Sequence, residues 1–242
     1  MSEKILVVHC GLVRYEEASV AQRWLVEARQ EDEAPDVLLL LEHPPVYTRG
    51  RRSDSAELPM AEEWYEAQGI EVCETDRGGR VTYHGPGQLV AYPIVSLRPY
   101  GDDVHEYVRR LERVAISALG DHGVAATTIE GLTGVWTEGE PPLAAASEPA
   151  RKIGSIGVHV SRGVTSHGLA INVNNDLQPF EWVVPCGIEG CRVTSLSREL
   201  GAEQGLAGFA ADVAARYAEV FEREPVPTEP AALGIDSARL GV

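Results

Sequence analysis

Residues 152–173 read KIGSIGVHVSRGVTSHGLAINV, and this stretch decides the fold. Two runs rich in Val and Ile, 152–160 and 164–173, are separated only by Ser161-Arg162-Gly163. A connection of three residues containing Gly joins antiparallel neighbours, because a parallel pair needs a much longer crossover. The spacing therefore predicts a hairpin. Outward from it, 4–9, 36–41, 70–74, 80–83, 88–95, 124–129 and 134–137 read as further strands, with 36–41 a continuous apolar run suited to a buried one. Helices interrupt them irregularly. Tyr15–Gln30 carries Val20, Trp24, Leu25 and Ala28 at a helical period, and 60–68 and 206–221 also read as helices. Residues 103–120 open on Asp103 and Glu106, a capping-box pattern, and bury one stripe that includes Val104, Val108, Leu111, Val114, Ala115, Ala118 and Leu119. The expected class is α+β, a mostly antiparallel sheet flanked by helices.

No linker or internal repeat divides the 242 residues. One domain over 1–242 is expected, with its core at about 36–222 and a Pro- and Ala-rich tail over 224–242. Residues 138–151 are Pro-, Ala- and Glu-rich and read as a mobile surface loop. No run approaches the ~18 apolar residues that span a bilayer, and no secretory signal opens the chain, so neither membrane nor export is expected and the cytoplasm is. The net charge of −16 argues against nucleic acid as a partner, since a phosphate backbone wants a basic face. Only Lys4 and Lys152 are lysines among 21 bases. Unlike Arg, Lys can give up its proton, which singles out Lys152 among its glycines.

Four cysteines are too few for a disulfide scaffold. Cys10 and Cys73 sit in strand-like runs and read as inert core thiols. Cys186 and Cys191 have a C-x4-C spacing with no second pair, so no metal site is expected. Cys186 stands in a Pro185-Cys186-Gly187 turn, where a thiol reads either as a core residue or as a nucleophile. Residues 77–88 hold Gly78, Gly79, Gly85 and Gly87 around Arg77, Arg80, Val81, Thr82, Tyr83 and His84. Tight turns explain the glycines but not the polar side chains between them, and neither dinucleotide nor P-loop spacing occurs. A substrate-lining loop is the better reading. Gly168 and Ala170, flanking Leu169, are small at alternate positions and would leave room for an apolar chain. With Cys186 as nucleophile and Lys152 as base, these features suggest an acyl group carried on sulfur and handed to an amine.

The residues match a known pattern. Leu38 to Thr48, the 77–88 loop, Gly134-Val135-Trp136, Lys152 to Gly157, His167 to Val173 and Pro185-Cys186-Gly187 occur in order over about 36–200, and jointly resemble the lipoyl (octanoyl) transferase family. The resemblance implies the biotin/lipoate protein ligase fold. It implies transfer of octanoyl from octanoyl-acyl carrier protein to a lysine of lipoyl domains, those of 2-oxoacid dehydrogenase E2 subunits and of the glycine cleavage H protein. It implies that Cys186 carries the acyl group as a thioester and that Lys152 lowers the thiol pKa and relays protons. Arg77 to His84, Ser155-Ile156-Gly157 and Gly168-Leu169-Ala170 match the substrate-binding stretches. No cofactor is implied, since exchange of one thioester for another needs no ATP. Arg49 departs from the pattern, which has a small or apolar residue there, and the 138–151 loop is longer.

Three rivals stand beside this reading: an ATP-dependent lipoate or biotin ligase of the same fold, a cysteine hydrolase with His84 as base, and a non-catalytic acyl-binding module. An acidic carrier protein meeting a chain of charge −16 also implies a local basic patch, drawn from Arg49, Arg51, Arg52, Arg77, Arg80, Arg151 and Arg162.

Overall fold

The five apolar residues 37–41 leave β2 (Asp36–Glu42) no polar face, and it lies near the middle of a sheet covered on both sides. The structure is a computed structural model that describes residues 3–140, 149–184 and 191–235. Before β2 come β1 (Glu3–Leu12) and α1 (Tyr15–Gln30). After it follow β3 (Val46–Arg49), α2 (Glu62–Ala67), β4 (Glu71–Glu74), β5 (Thr82–His84), β6 (Gln88–Ile94), α3 (Val104–Asp121), β7 (Ala126–Ile129) and β8 (Leu132–Thr137). The chain continues through β9 (Lys152–Ser161), β10 (Val164–Asn172), α4 (Leu196–Leu200), α5 (Leu206–Val220) and β11 (Arg223–Pro227).

Eight strands form one sheet in the order β11-β1-β2-β6-β10-β9-β8-β7. The hairpin read from 152–173 is β9 and β10, paired antiparallel from Val164 opposite Ser161 to Ile171 opposite Gly154. From β2 to β7 every ladder is antiparallel. The other edge is parallel: β1 pairs with β2 and with β11. The α1 crossover makes the first of these possible, since parallel neighbours cannot be joined by a tight turn. Residues 224–227, read as the start of a tail, belong instead to the edge strand β11. Pro225 and Pro227 are tolerated there because no neighbour on the outer side needs their missing N–H groups. A second sheet, β4-β3-β5, lies apart from the first. Its β3 had no sequence signal beyond Leu38 to Thr48 as a block, being only four residues after two prolines.

Strand alternation sorts the core into two layers. Leu38 and Leu40 pack with Leu111, Val114, Phe209 and Val213 under α3 and α5. Leu39 and Leu41 pack with Ala18, Ala21 and Leu25 under α1. Asp103 caps α3, accepting from the backbone N–H groups of His105 at 2.8 Å and Glu106 at 3.1 Å. Glu106 does not reach back as a capping box would; it is held by Arg110 and Arg113. In the small sheet Tyr47, Tyr65, Val81, Tyr83 and Phe180 form a third cluster. Tyr47 donates to the Pro179 carbonyl at 2.6 Å and Tyr65 to that of Trp182 at 3.2 Å. The small sheet thus fixes the segment that leads towards Cys186.

Of the 138–151 loop, residues 141–148 lie outside the described residues, as does Cys186. The base of that loop is closed: the Ala150 N–H donates to the Glu140 carbonyl at 2.8 Å, and Thr137 and Arg151 exchange a further pair of bonds.

Candidate active site

A cleft of about 440 Å³ opens between the 77–84 segment, β6, the start of α3, the β7–β8 turn, β9 and β10. That volume is in the ordinary range for a small-molecule site. Among the residues singled out from sequence, Arg77, Gly78, Gly79, Arg80, Thr82, His84, Lys152, Ser155, Ile156, Gly157, Gly168, Leu169 and Ala170 line it. Val81 and Tyr83 do not. In β5 successive side chains alternate, so Thr82 and His84 face the cleft while Val81 and Tyr83 point into the small-sheet cluster.

Close backbone approach explains two glycines. A Cβ on Gly157 would lie 2.7 Å from the Gly78 carbonyl oxygen, so only glycine lets the loop lie on β9, where the Gly78 N–H donates to Val158 at 2.9 Å. A Cβ on Gly168 would lie 2.3 Å from the Ala91 carbonyl oxygen. Its smallness is therefore demanded by β6, and the expectation that it makes room for a ligand chain is corrected to that extent. Arg77 clamps the loop from below. It is buried, and its Nη2 donates to the Thr48 carbonyl at 2.6 Å and the Thr48 Oγ1 at 2.7 Å.

Apolar walls come from Val90, Val104, Val108, Leu132, Ile156 and Leu169. Val104 and Val108 had been read only as core stripe. Val104 is in fact among the exposed large apolar residues, a signal that can be read only with the helix in place. Such walls suit an alkyl chain.

Lys152 also lines the cleft, 3% exposed at the first position of β9. Its Nζ lies 5.4 Å from the centre of the Trp136 ring, within cation–π range. Its backbone N–H donates to the Arg192 carbonyl at 2.8 Å, and its carbonyl accepts from Thr194 at 2.9 Å. Lys152 is therefore tied to the segment that begins six residues after Cys186.

Behind the cleft, hydrogen-bond logic fixes the histidines. The Gln88 amide nitrogen donates to Tyr83 and Asn172, so its oxygen accepts from His84 Nδ1 at 2.7 Å. His84 Nε2 then carries a lone pair, and burial keeps its ring neutral well below the usual pH. His43 Nδ1 donates to the Val13 carbonyl at 2.6 Å, so its Nε2 accepts from the Tyr92 hydroxyl at 2.8 Å. Burial lowers the His43 pKa to about 4. His167 Nε2 donates to Asp76 at 2.7 Å. A larger open groove of about 1080 Å³ touches the same His167 from the α1 side, but Glu16, Arg23, Glu27 and Glu74 make it a mainly polar, open channel, and Lys152 does not line it.

Burial raises the Cys10 thiol to about 12 and the Cys73 thiol to about 11. Neither forms a thiolate near neutral pH, in line with their reading as inert. The arginines divide. Arg49 pairs with Glu74 at 3.1 Å and does not line the cleft, so its departure from the pattern leaves the apolar walls untouched. Arg151 pairs with Glu199 and Arg162 with Glu31, away from the cleft. Arg52, Arg77 and Arg80 line it, and Arg51 and Arg52 are exposed beside it.

A model of the lipoyl protein ligase A/B catalytic domain matches residues 14–218. An octanoyltransferase of Koribacter versatilis (strain Ellin345) is 48% identical over 199 residues, 81% of this chain and 76% of that one. An octanoyltransferase of Acidothermus cellulolyticus is 45% identical over 229 residues, 92% and 97% of the two chains. The bipartite lipoate protein ligase of Thermoplasma acidophilum superposes with a TM-score of 0.70 at 17% identity, over 95% of this chain and 87% of that one, which shows the shared fold. By sequence match over most of its length, the chain belongs to the lipoyl protein ligase A/B catalytic domain family and to the octanoyltransferases within it.

Proposed function

We propose that the protein moves octanoyl from octanoyl-acyl carrier protein to a lysine of lipoyl domains through a thioester on Cys186, with Lys152 handling the proton. Octanoyl transfer in protein lipoylation is the work of the family to which the chain belongs. The observation that carries the finer reading is the burial of Lys152 in the lining of a cleft with apolar walls, on a strand bonded to residues 192–194. Burial raises the Cys10 and Cys73 thiols, which leaves Cys186 and Cys191, and of these Cys186 stands in the Pro-Cys-Gly turn.

In the first step the Cys186 thiolate attacks the donor's thioester carbonyl. The carrier's sulfur leaves and takes a proton from Lys152. In the second, the acceptor amine attacks the acyl-enzyme, an amide forms, the Cys186 thiolate is released, and Lys152 takes the proton the amine sheds. One thioester replaces another and an amide replaces the second, so the energy comes from the donor and no nucleotide is consumed. Arg51 and Arg52 at the cleft mouth would meet the acidic carrier. The acceptors are the lipoyl domains of 2-oxoacid dehydrogenase E2 subunits and the glycine cleavage H protein, in the cytoplasm. No helix among the described residues is long and apolar enough to cross a membrane.

The test is octanoyl transfer by purified protein without ATP, for Cys10→Ala, Cys73→Ala, Cys186→Ala and Cys191→Ala in turn. Loss confined to Cys186→Ala is expected. Near-normal turnover by that variant, or a requirement for ATP, would overturn the reading.

A further inference from the structure

Glu112 sits in the middle of the apolar face of α3, between Leu111 and the Val114–Ala115 pair, and is only 8% exposed. A carboxylate in that position needs a reason, because burying a charge is costly unless it is partnered. Its Oε1 accepts the Gly134 backbone N–H at 3.1 Å. On the same glycine, a Cβ would lie 2.9 Å from Lys152 Cε and 3.4 Å from Nζ. Gly134 holds φ at +126°, a backbone that favours glycine, and with no side chain it lets the lysine and the carboxylate pack against one residue of β8. Trp136, two residues on, faces the same ammonium. Two opposite charges, both withdrawn from water, thus flank a single glycine.

We infer that Glu112 is a positioning residue for Lys152: across Gly134 it supplies the negative charge that holds the buried lysine's amino group in place and pointed into the cleft before the acyl group arrives. This rests on the role proposed for Lys152 above. Burial raises the Glu112 carboxyl above its usual range, a shift that the Gly134 N–H, Arg109 and Lys152 reduce but do not cancel. The other charged or titratable side chains lining the cleft are Arg52, Arg77, Arg80, His84, Tyr92, His105 and His167, with burial keeping the Tyr92 hydroxyl neutral. They are cationic or neutral, so among the described residues the cleft lining holds no carboxylate that could do the same. Of the remaining elements packed near Lys152, β8 has no titratable side chain, and the 192–199 segment brings Arg192, Arg198 and Glu199, the last engaged by Arg151 and Thr194.

Glu112→Gln keeps an acceptor for Gly134 and removes the charge. It should slow transfer about tenfold with the donor's KM unchanged. Thermal unfolding of Glu112→Gln, Lys152→Met and the double variant completes the test. The double variant should lose less stability than the two single variants summed, since either one alone already removes the interaction between the two groups. A turnover rate equal to wild type, or additive losses of stability, would overturn the inference. If Lys152→Met itself transferred octanoyl normally, the proposed function would fail instead, whatever Glu112 does.

Discussion

The Gly78 carbonyl oxygen lies 2.7 Å from where a Cβ on Gly157 would stand, and that approach holds the substrate loop on β9. Gly157→Ala should push the loop off the strand and break the Gly78–Val158 hydrogen bond. A stability loss of ~1–3 kcal/mol is expected, with a raised KM for the octanoyl donor. Urea unfolding and steady-state kinetics read both; a variant unchanged in each would show that the contact has no role in shaping the cleft.

Lys152→Arg conserves charge but not chemistry. Lys152 is buried, with Cε packed close to Gly134 and Trp136 alongside, so a larger guanidinium has no room and stays protonated. Transfer to a lipoyl domain should fall at least ~10²-fold, as on loss of a general base. Single-turnover assays of acylation and transfer separate the steps. Wild-type rates in both would make His84, whose Nε2 carries a lone pair, the leading base.

Three buried histidines make stability depend on pH. Burial lowers the pKa values of His43, to about 4, and of His84 and His167. Each folded pKa lies below the ordinary 6.5, so the unfolded chain binds more protons between the two values. The stability they contribute is complete above pH 6.5 and is lost as pH falls towards 4. Each histidine protonated only in the unfolded chain costs about 1.4 kcal/mol per pH unit. Urea midpoints between about pH 7 and about pH 4.5 should fall steadily, and flat midpoints would contradict the assigned neutral rings.

What was legible in the sequence was what local rules decide. The Ser161-Arg162-Gly163 turn, the apolar run of β2 and the Asp103 cap each depend on a few adjacent residues, and each appears in the fold. The cleft-facing half of 77–84 was read as a block, and only the strand register of β5 separates Thr82 and His84 from Val81 and Tyr83. That strand begins two residues later than its sequence suggests, because Glu57 takes the Arg80 side chain and the Val81 N–H. Glu112 was passed over because it looks like one polar member of an amphipathic helix; its meaning depends on Gly134, 22 residues away. The Asp76–His167 bond spans 91 residues and has no local signal at all. Residues 224–227 were misread because two prolines argue against a strand everywhere but at a sheet edge.

Reversing the charge of Arg51 and Arg52 together should raise the apparent KM for the acyl carrier protein and weaken its salt dependence, with kcat nearly unchanged. Both side chains are exposed, so the fold should tolerate the change. A KM and salt dependence equal to wild type would place carrier docking elsewhere.

The central claim is the acyl-enzyme on Cys186. Purified protein mixed with octanoyl-acyl carrier protein, without a lipoyl domain, should gain the mass of one octanoyl group on intact mass spectrometry. Peptide mapping should find it on Cys186, hydroxylamine should release it, and adding a lipoyl domain should move it to the acceptor lysine. Transfer to the acceptor by a protein that never carries the group, or that carries it on another residue, would contradict the account.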